Sequence, residues 1–379
     1  MAFRAEVRPV SRGPVSTVEE VKGQDAFVAL EGEWNDLADA IGAPIFYRHA
    51  YLRLWLSSFA PEAAMRVLVG RSASGAFVAA LPLIERTSRM YGLGVRELVS
   101  PTNEHSGRFD LLTCDPEGAA RSFAAYLRAS ADWDVLRLSD VPEEGAANAL
   151  VGALAELGMP TGIADGPHSP YVRLPTSVAA LRERWSAGLR GSLRRRRRRL
   201  AEKGPVTVER VDPRSPDLPK RIQEAFELEA SGWKGRAGTA IQQDPRTFAF
   251  YTGLSVLAAD LGQLSLTFLR CGGRAVAFDL AVVGGGRYLS FKHGYAEDVR
   301  ACSPGQLLTE ELLTRCVEEH LSEFDFMGED APCKRDWASD IRVHRFLFAF
   351  STGVRGNLLR TLKFQVTPVI KQVRARWLR

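Results

Sequence analysis

The segment Arg300-Ala301-Cys302-Ser303-Pro304-Gly305-Gln306-Leu307-Leu308 combines residues that open a helix with residues that hold an anion. Ser303 suits an N-cap, and Pro304 suits the first helical position, where its missing N–H costs nothing. Gly305 keeps bulk away from the helix mouth, where free N–H groups and the positive dipole end attract phosphate. Arg300 adds charge on the approach. Arg300, Ser303, Gly305 and Gln306 are therefore the candidate residues for a phosphate-bearing ligand; an ordinary capped helix is the alternative. Cys302 reads as a small spacer in the loop and not as a nucleophile.

Three groups nearby in sequence can exchange protons. Asp279 interrupts the apolar strand Ala275-Val276-Ala277-Phe278-Asp279-Leu280-Ala281; a carboxylate there is either paired or functional, since burying it alone is costly. Glu229 ends a helix facing the Trp233-Lys234 break, with a solvated helix face as its alternative role. His293 closes the strand before the junction and titrates in the right range for base work, although packing or surface exposure is the commoner use. Lys292 and Lys334 are cationic candidates for a substrate phosphate, a carboxylate or a developing oxyanion. For Lys334 a salt bridge to Asp330 or Asp336 is the alternative. Trp233 either stacks on a sugar or closes a core. Lys234, Tyr295 and Trp337 complete the candidate substrate-binding set.

The elements that must position these groups follow from apolar period and turn chemistry. From Gly204 onward the pattern gives a strand at 205–211, helices at 219–230 and 244–261, and three strands at 263–270, 275–283 and 287–293. Gly272-Gly273 and Gly284-Gly285-Gly286 supply the hairpin turns. The junction, its helix and a strand at 323–327 follow, giving β-α-α-β-β-β-α-β. The first half repeats this order more faintly: helices at 25–41 and 49–59, strands at 65–71, 77–85 and about 109–114, a helix at 116–129 and a strand at 134–138. Duplication is the expectation. The domains expected are an extension at 1–24, a degenerate domain at 25–175, an arginine-rich linker helix at 176–203, a domain with the donor loop at 204–350, and a basic amphipathic helix at 351–379.

With 379 residues, 45% hydrophobic and 25% charged, the chain has the composition of a soluble globular protein of two ordinary domains. No run of about 18 apolar residues spans a membrane, and residues 1–20 lack a signal-peptide core, so a cytoplasmic location is expected. Five scattered cysteines suggest neither a disulfide framework nor a metal site. The net charge of +5 hides an asymmetry: residues 182–199 carry +8, residues 341–379 carry +9, and the remainder −12.

The element order is that of the GNAT acyltransferases, an α/β fold with a mixed sheet, here in tandem. Arg300-x-x-Ser303-x-Gly305 resembles their acyl-CoA loop, with Ser in place of the first Gly. Ser303-Pro304-Gly305-Gln306-Leu307-Leu308, Phe324-Asp325-Phe326-Met327-Gly328, Lys334-x-x-Trp337, Glu229-Ala230-Ser231-Gly232-Trp233-Lys234-Gly235 and Gly238-Thr239-Ala240 resemble the BioF2-like acetyltransferases. Trp34, Leu37, Trp55 and Leu81-Pro82-Leu83 fit that family's first half, and the similarity runs over about 25–350. The family includes CelD/BcsL-type proteins of cellulose and exopolysaccharide synthesis and is related to the FemAB peptidyltransferases. The resemblance implies direct acyl transfer from acetyl-CoA or another acyl-CoA to an amine or hydroxyl of a saccharide, with Asp279, Glu229 or His293 as base, no metal, and the first half shaping the acceptor site. Fem-type transfer from charged tRNA, and a non-catalytic polyanion-binding role in polysaccharide synthesis, are the alternatives.

Arg194–Arg199 cannot form a single stripe on a helix and must surround its axis. Pairing with acidic parts of the protein and binding of a nucleotide sugar, tRNA or anionic lipid are the two readings; nothing points to specific DNA. At 357–379, Leu358, Leu362, Val366, Ile370, Val373 and Trp377 share a face among Arg360, Lys363, Lys371, Arg374 and Arg376. This is an amphipathic basic helix that either packs on the protein or lies peripherally on an anionic membrane.

Overall fold

The computed structural model describes residues 13–130, 132–368 and 370, with the side chains of Trp233 and Lys234 outside the described set. The chain forms two units. The first holds residues up to Leu56, Ala60–Pro167 and Val343 onward; the second holds Ser57–Phe59 and His168–Arg342.

In the first unit the order is β1 (Thr17–Lys22), α1 (Gln24–Val28), α2 (Glu31–Ala40), α3 (His49–Phe59), β2 (Ala64–Arg71), β3 (Phe77–Met90), β4 (Leu93–Val99), β5 (Leu112–Thr113), α4 (Pro116–Ala129), β6 (Val135–Pro142) and α5 (Ala147–Glu156). Strands β1 to β4 pair antiparallel in sequence order, and β4 pairs parallel with β6. The strand expected at 109–114 is only the two-residue β5; the third long strand is β4. The turn before it is Tyr91-Gly92, with φ of 52° and 82°. Both central residues of a tight hairpin turn take positive φ, and a tyrosine there hides the usual Asn-Gly signal. Strand β1, which falls in the expected 1–24 extension, is paired into this sheet. Leu81, Leu98, Phe123, Leu136, Leu150 and Leu154 form the core beneath α4 and α5.

The chain leaves the first unit within β7 (Thr161–Arg173) and re-enters it within β13 (Asp340–Phe350). Between them lie α6 (Val178–Arg184), α7 (Ala187–Ala201), β8 (Val206–Arg210), α8 (Leu218–Ala230), α9 (Trp233–Arg236), α10 (Pro245–Asp260), β9 (Leu264–Cys271), β10 (Arg274–Gly284), β11 (Arg287–Tyr295), a 3-10 turn (Glu297–Cys302), α11 (Pro304–Glu318), β12 (Glu323–Asp325) and α12 (Pro332–Arg335). The single linker helix expected within 176–203 is two helices. Trp185 is extended, and the Ser186 hydroxyl accepts the Leu189 N–H at 3.0 Å, starting α7 afresh. Strands β8 to β11 pair antiparallel, β11 pairs parallel with β12, and β12 pairs with residues 171–173. Leu193, Leu200, Val276, Leu308, Leu312 and Phe324 form this unit's core.

Each unit thus runs strand, helices, three antiparallel strands, helix, parallel strand. The chain is a tandem of GNAT-like α/β units with mixed sheets. Among the described residues no helix is long and apolar enough to cross a membrane.

Candidate active site

Among the described helix starts with a serine or aspartate at the N-cap, the mouth of α11 stands out by its backbone, which is left-handed at Ser303. Asp115, Ser177, Ser186 and Asp244 each accept a backbone N–H from the helix that follows. Ser303 was expected to do the same, and it does not: its side chain makes no cap hydrogen bond. The cause is its backbone. Ser303 ends the 3-10 turn and begins α11, and reversing the chain between the two puts it at φ 46° and ψ 58°. That left-handed conformation suits glycine and turns the Ser303 hydroxyl away from the first turn. The first turn of α11 therefore has no side-chain cap: Pro304 has no N–H, the Gln306 N–H donates back to the Ser303 carbonyl at 3.0 Å, and the Gly305 N–H is the amide that faces outward. Gly305 follows at the second helical position, and a Cβ built there would find Tyr295 Cδ1 at 3.8 Å, an ordinary contact. The fold itself does not demand a glycine there.

Beside this mouth, β11 and β12 pair only over 287–289 and 323–325, while β11 runs on to Tyr295. The two parallel strands part after Leu289, and Tyr295, the last residue of β11, lies against the α11 mouth at Gly305. On its other edge β11 carries a bulge at Phe291, where the register with β10 slips between Leu280–Lys292 and Ala281–Ser290. Asp279 holds this irregularity. Its carboxylate accepts from Tyr288 Oη at 2.8 Å and Ser290 Oγ at 2.6 Å, both in β11. Burial pushes its pKa up to about 6, against the lowering effect of these two hydroxyls. Burial likewise raises Tyr288 and the thiol of Cys316, on the buried face of α11.

Glu229, also buried, ends α8 on the opposite face of this hairpin. Its Oε2 accepts the Ile241 N–H at 2.9 Å. A Cβ at Gly294 would fall 2.6 Å from Phe278 Cε1 and 3.2 Å from Glu229 Cα. Gly294 is thus what lets α8 approach β11. His293 is exposed and stands opposite Asp279 in the ladder. Lys292 Nζ lies 4.7 Å from the centre of the buried Tyr251 ring, a cation–π contact.

Around the α11 mouth, Trp337 Nε1 donates to Gln306 Oε1 at 2.6 Å and Gln306 Nε2 donates to the Cys333 carbonyl at 3.1 Å. Trp337 in turn meets Trp185 edge to face at 5.1 Å. Lys334 Nζ donates to the carbonyls of Met327 and Glu329, closing the loop after β12. Arg300 is exposed, its guanidinium 3.8 Å from Glu297, which also approaches Arg236. The backbone of Trp233 and Lys234 forms part of the short α9.

Sequence reasoning did not find the hydroxyl partners of Asp279, nor the ion pair of Asp325 with Arg342. Asp325 is fully buried, accepts from Ser169 Oγ at 3.0 Å, and is paired with Arg342, which also reaches Glu323 at 2.8 Å. Tyr288 and Ser290, at alternate positions in the strand after Asp279, were the available signal for the first.

The arginines of α7 divide rather than encircle. Arg194, Arg195, Arg198 and Arg199 are exposed, whereas Arg197 bridges Glu310 at 2.8 Å and Glu311 at 2.7 Å on α11. Leu193 and Leu200 anchor the inner face.

Comparison with known proteins matches residues 187–335 to the acetyltransferase (GNAT) domain family. The second unit has a GNAT-type acyltransferase fold. That segment begins at α7 and ends at α12, so it takes in the α11 mouth, the parted strands and Glu229. Among solved structures, FemX superposes with a TM-score of 0.56 at 10% identity, covering 86% of this chain and 96% of FemX. A conserved protein of unknown function from Bacteroides thetaiotaomicron gives 0.50 at 13% identity, covering 86% and 96%. At these identities the likeness speaks for the fold across both units. A search of curated proteins gives no match.

Proposed function

We propose that the chain transfers an acyl group from acyl-CoA to an amine or hydroxyl of a saccharide or cell-envelope precursor, as a BioF2-like member of the GNAT acyltransferases. The observation that carries this reading is the uncapped α11 mouth against the end of β11, beyond the point where β11 and β12 part. The outward N–H of an unhindered Gly305, the helix dipole and the exposed Arg300 suit a pyrophosphate, and acyl-CoA, when bound, supplies the thioester. Gly305 meets the phosphates through its backbone N–H, Ser303, whose own N–H donates to the Arg300 carbonyl at 2.9 Å, sets the turn, and Gln306 is fixed beside them by Trp337. The end of β11, unpaired by β12, offers backbone N–H groups to negative charge developing on the acyl oxygen.

Glu229 takes the proton of the attacking amine or hydroxyl. It reaches β11 from the α8 side, where 233–241 can admit an acceptor, and the Ile241 N–H orients its carboxylate. Asp279 is a positioning residue: both carboxylate oxygens are engaged by β11 hydroxyls, and α11 covers it. Lys292, on the Glu229 face of the same strand, suits an anionic acceptor, whereas His293, opposite Asp279 in the ladder, belongs to the other face.

Calorimetry with acetyl-CoA, and with desulfo-CoA to exclude thiol artefacts, tests the donor. Saturable heat with both supports it; absence of heat at millimolar ligand overturns it. A second reading, Fem-like transfer from aminoacyl-tRNA, gains from the four exposed arginines of α7. Affinity for total tRNA that survives moderate salt, with no heat from acetyl-CoA, would replace the first reading with the second.

A further inference from the structure

The chain returns from β13 into α13 (Val354–Thr361) and a π turn (Leu362–Val366), both in the first unit. The inner face of this helix is firmly seated. Phe364 packs against Phe348 and Phe350 at ring distances of 5.7 and 6.4 Å, and Leu359 is fully buried. Even Gly162 is required by it, since a Cβ there would strike the Phe364 ring at 2.3 Å.

The outer face is apolar and uncovered. Val354 is 89% exposed, Leu358 45%, Val366 38% and Ile370 53%. These residues stand four or eight apart. In a regular α-helix each four-residue step drifts by about 40°, and the wider π turn at 362–366 takes back part of that drift, keeping the row on one side.

The β3–β4 turn lies alongside. Tyr91 Oη is 3.0 Å from Thr367 Oγ1, and Arg355 donates to the Gly94 carbonyl. Tyr91 and Leu93 at this turn are 45% and 38% exposed. Six of the eleven large apolar side chains exposed among the described residues thus meet at one end of the unit. Tyr91 also holds a positive φ that disfavours a bulky residue, so an aromatic is kept at the tip against its backbone preference.

Charge completes the pattern. Residues 86–96 and 351–370 hold Arg86, Arg89, Arg96, Arg355, Arg360 and Lys363; Arg86 pairs with Glu97 at 2.7 Å, and Arg96 and Arg355 lie 3.7 and 3.5 Å from Asp134, so six cations face two carboxylates and the excess is +4. A net positive surround to an apolar row matches the interface of an anionic bilayer: apolar side chains and a tyrosine enter, and the cations in excess, Arg89 among them, meet the headgroups. We infer that the α13 row and the Tyr91–Leu93 turn form a surface that docks this chain on an anionic membrane.

Flotation of the full chain with phosphatidylcholine vesicles, with and without phosphatidylglycerol, tests this. Binding is expected on the anionic vesicles and weakened by salt. The combined V354S, L358S and V366S variant should lose at least tenfold in partitioning with an unchanged melting temperature, because none of the three side chains is in the core. Arg89→Gln should lose about fivefold on anionic vesicles only, and V256S/L261S, exposed apolar residues of the second unit, should lose nothing. Absence of binding, or full binding by the triple variant, overturns the inference. So does sedimentation equilibrium that finds a dimer the triple variant abolishes, because a second copy would then be what covers the row.

Discussion

Gly305→Ala separates the needs of the fold from the needs of a ligand. Gly305 is the second residue of α11, its φ lies outside the left-handed region, and an added Cβ meets nothing closer than Tyr295 Cδ1 at 3.8 Å. The free protein should therefore accept alanine. Removing glycine from a compatible helical position restricts the unfolded chain and favours the helix by about 0.4–1 kcal/mol. In a unit of this size that raises the melting temperature by roughly 1–3 °C. Ligand binding should move the other way. The new methyl stands at the helix mouth, between the outward Gly305 N–H and any phosphate that approaches it. Losing one close N–H contact to a charged oxygen is worth at least about 1.4 kcal/mol, a tenfold weakening. Thermal melts and acetyl-CoA calorimetry on the same preparations read both effects. A variant that melts higher and binds acetyl-CoA as tightly as the wild type would refute a donor site at α11. A variant that melts lower would refute the account of why glycine is tolerated there.

Ser303→Gly should stabilise the second unit by about 1 kcal/mol, measured by urea unfolding, because it relieves a left-handed φ and forfeits no cap bond. Asp279→Asn should flatten part of the pH dependence of stability. The folded pKa, about 6, lies above the ordinary 3.8. Its contribution is thus fully present below pH 3.8 and lost as pH rises through 6. The gap corresponds to about 3 kcal/mol, so the stability of Asn relative to wild type should be greatest near pH 8 and shrink steadily toward pH 4 in paired denaturation curves. Arg342→Met should destabilise by about 3–5 kcal/mol by leaving the buried Asp325 carboxylate without its cation; a loss below 1 kcal/mol in urea unfolding would show that Asp325 is satisfied by Ser169 alone.

What was legible in the sequence was local. Gly272-Gly273 and Gly284–Gly286 mark hairpins through residues whose backbone freedom the turns use, and β9, β10 and β11 stand close to where those signals put them. The losses have local causes too. Strand β4 was missed because its turn is made by Tyr91, a residue that ordinarily avoids positive φ. The break between α6 and α7 was missed because Trp185 continues the apolar period although its backbone is extended. Site geometry was less accessible, since it depends on pairs far apart in sequence. Nothing near Asp325 announces Arg342 across the loop that carries Lys334. The suspicion attached to Asp279, a carboxylate in an apolar strand, was physically sound about burial, yet only the three-dimensional register shows that both oxygens are occupied by neighbouring hydroxyls.

The two units differ at their corresponding helix mouths in ways that bear on the proposed donor site. In the first unit α4 occupies the place in the order that α11 holds in the second. Asp115 Oδ1 accepts the Gly118 N–H at 3.0 Å, so the first turn of α4 already carries a carboxylate. A cavity of about 530 Å3 beside it is lined by Asp110, Glu117, Glu143 and Glu144 as well as neutral groups. Burial raises the pKa of Asp110, opposed by the N–H groups of Ala147, Ala146 and Leu111. A phosphate entering there would meet like charge and amides already bonded. At α11 the N-cap is a serine turned out of capping geometry, the next residue is a proline with no N–H to satisfy, and the third is a glycine. Both sequences, Asp-Pro and Ser-Pro-Gly, read as ordinary helix starts. The sign of the charge and the φ of one residue are what distinguish the two mouths, and on the proposed reading they favour α11 for an anion.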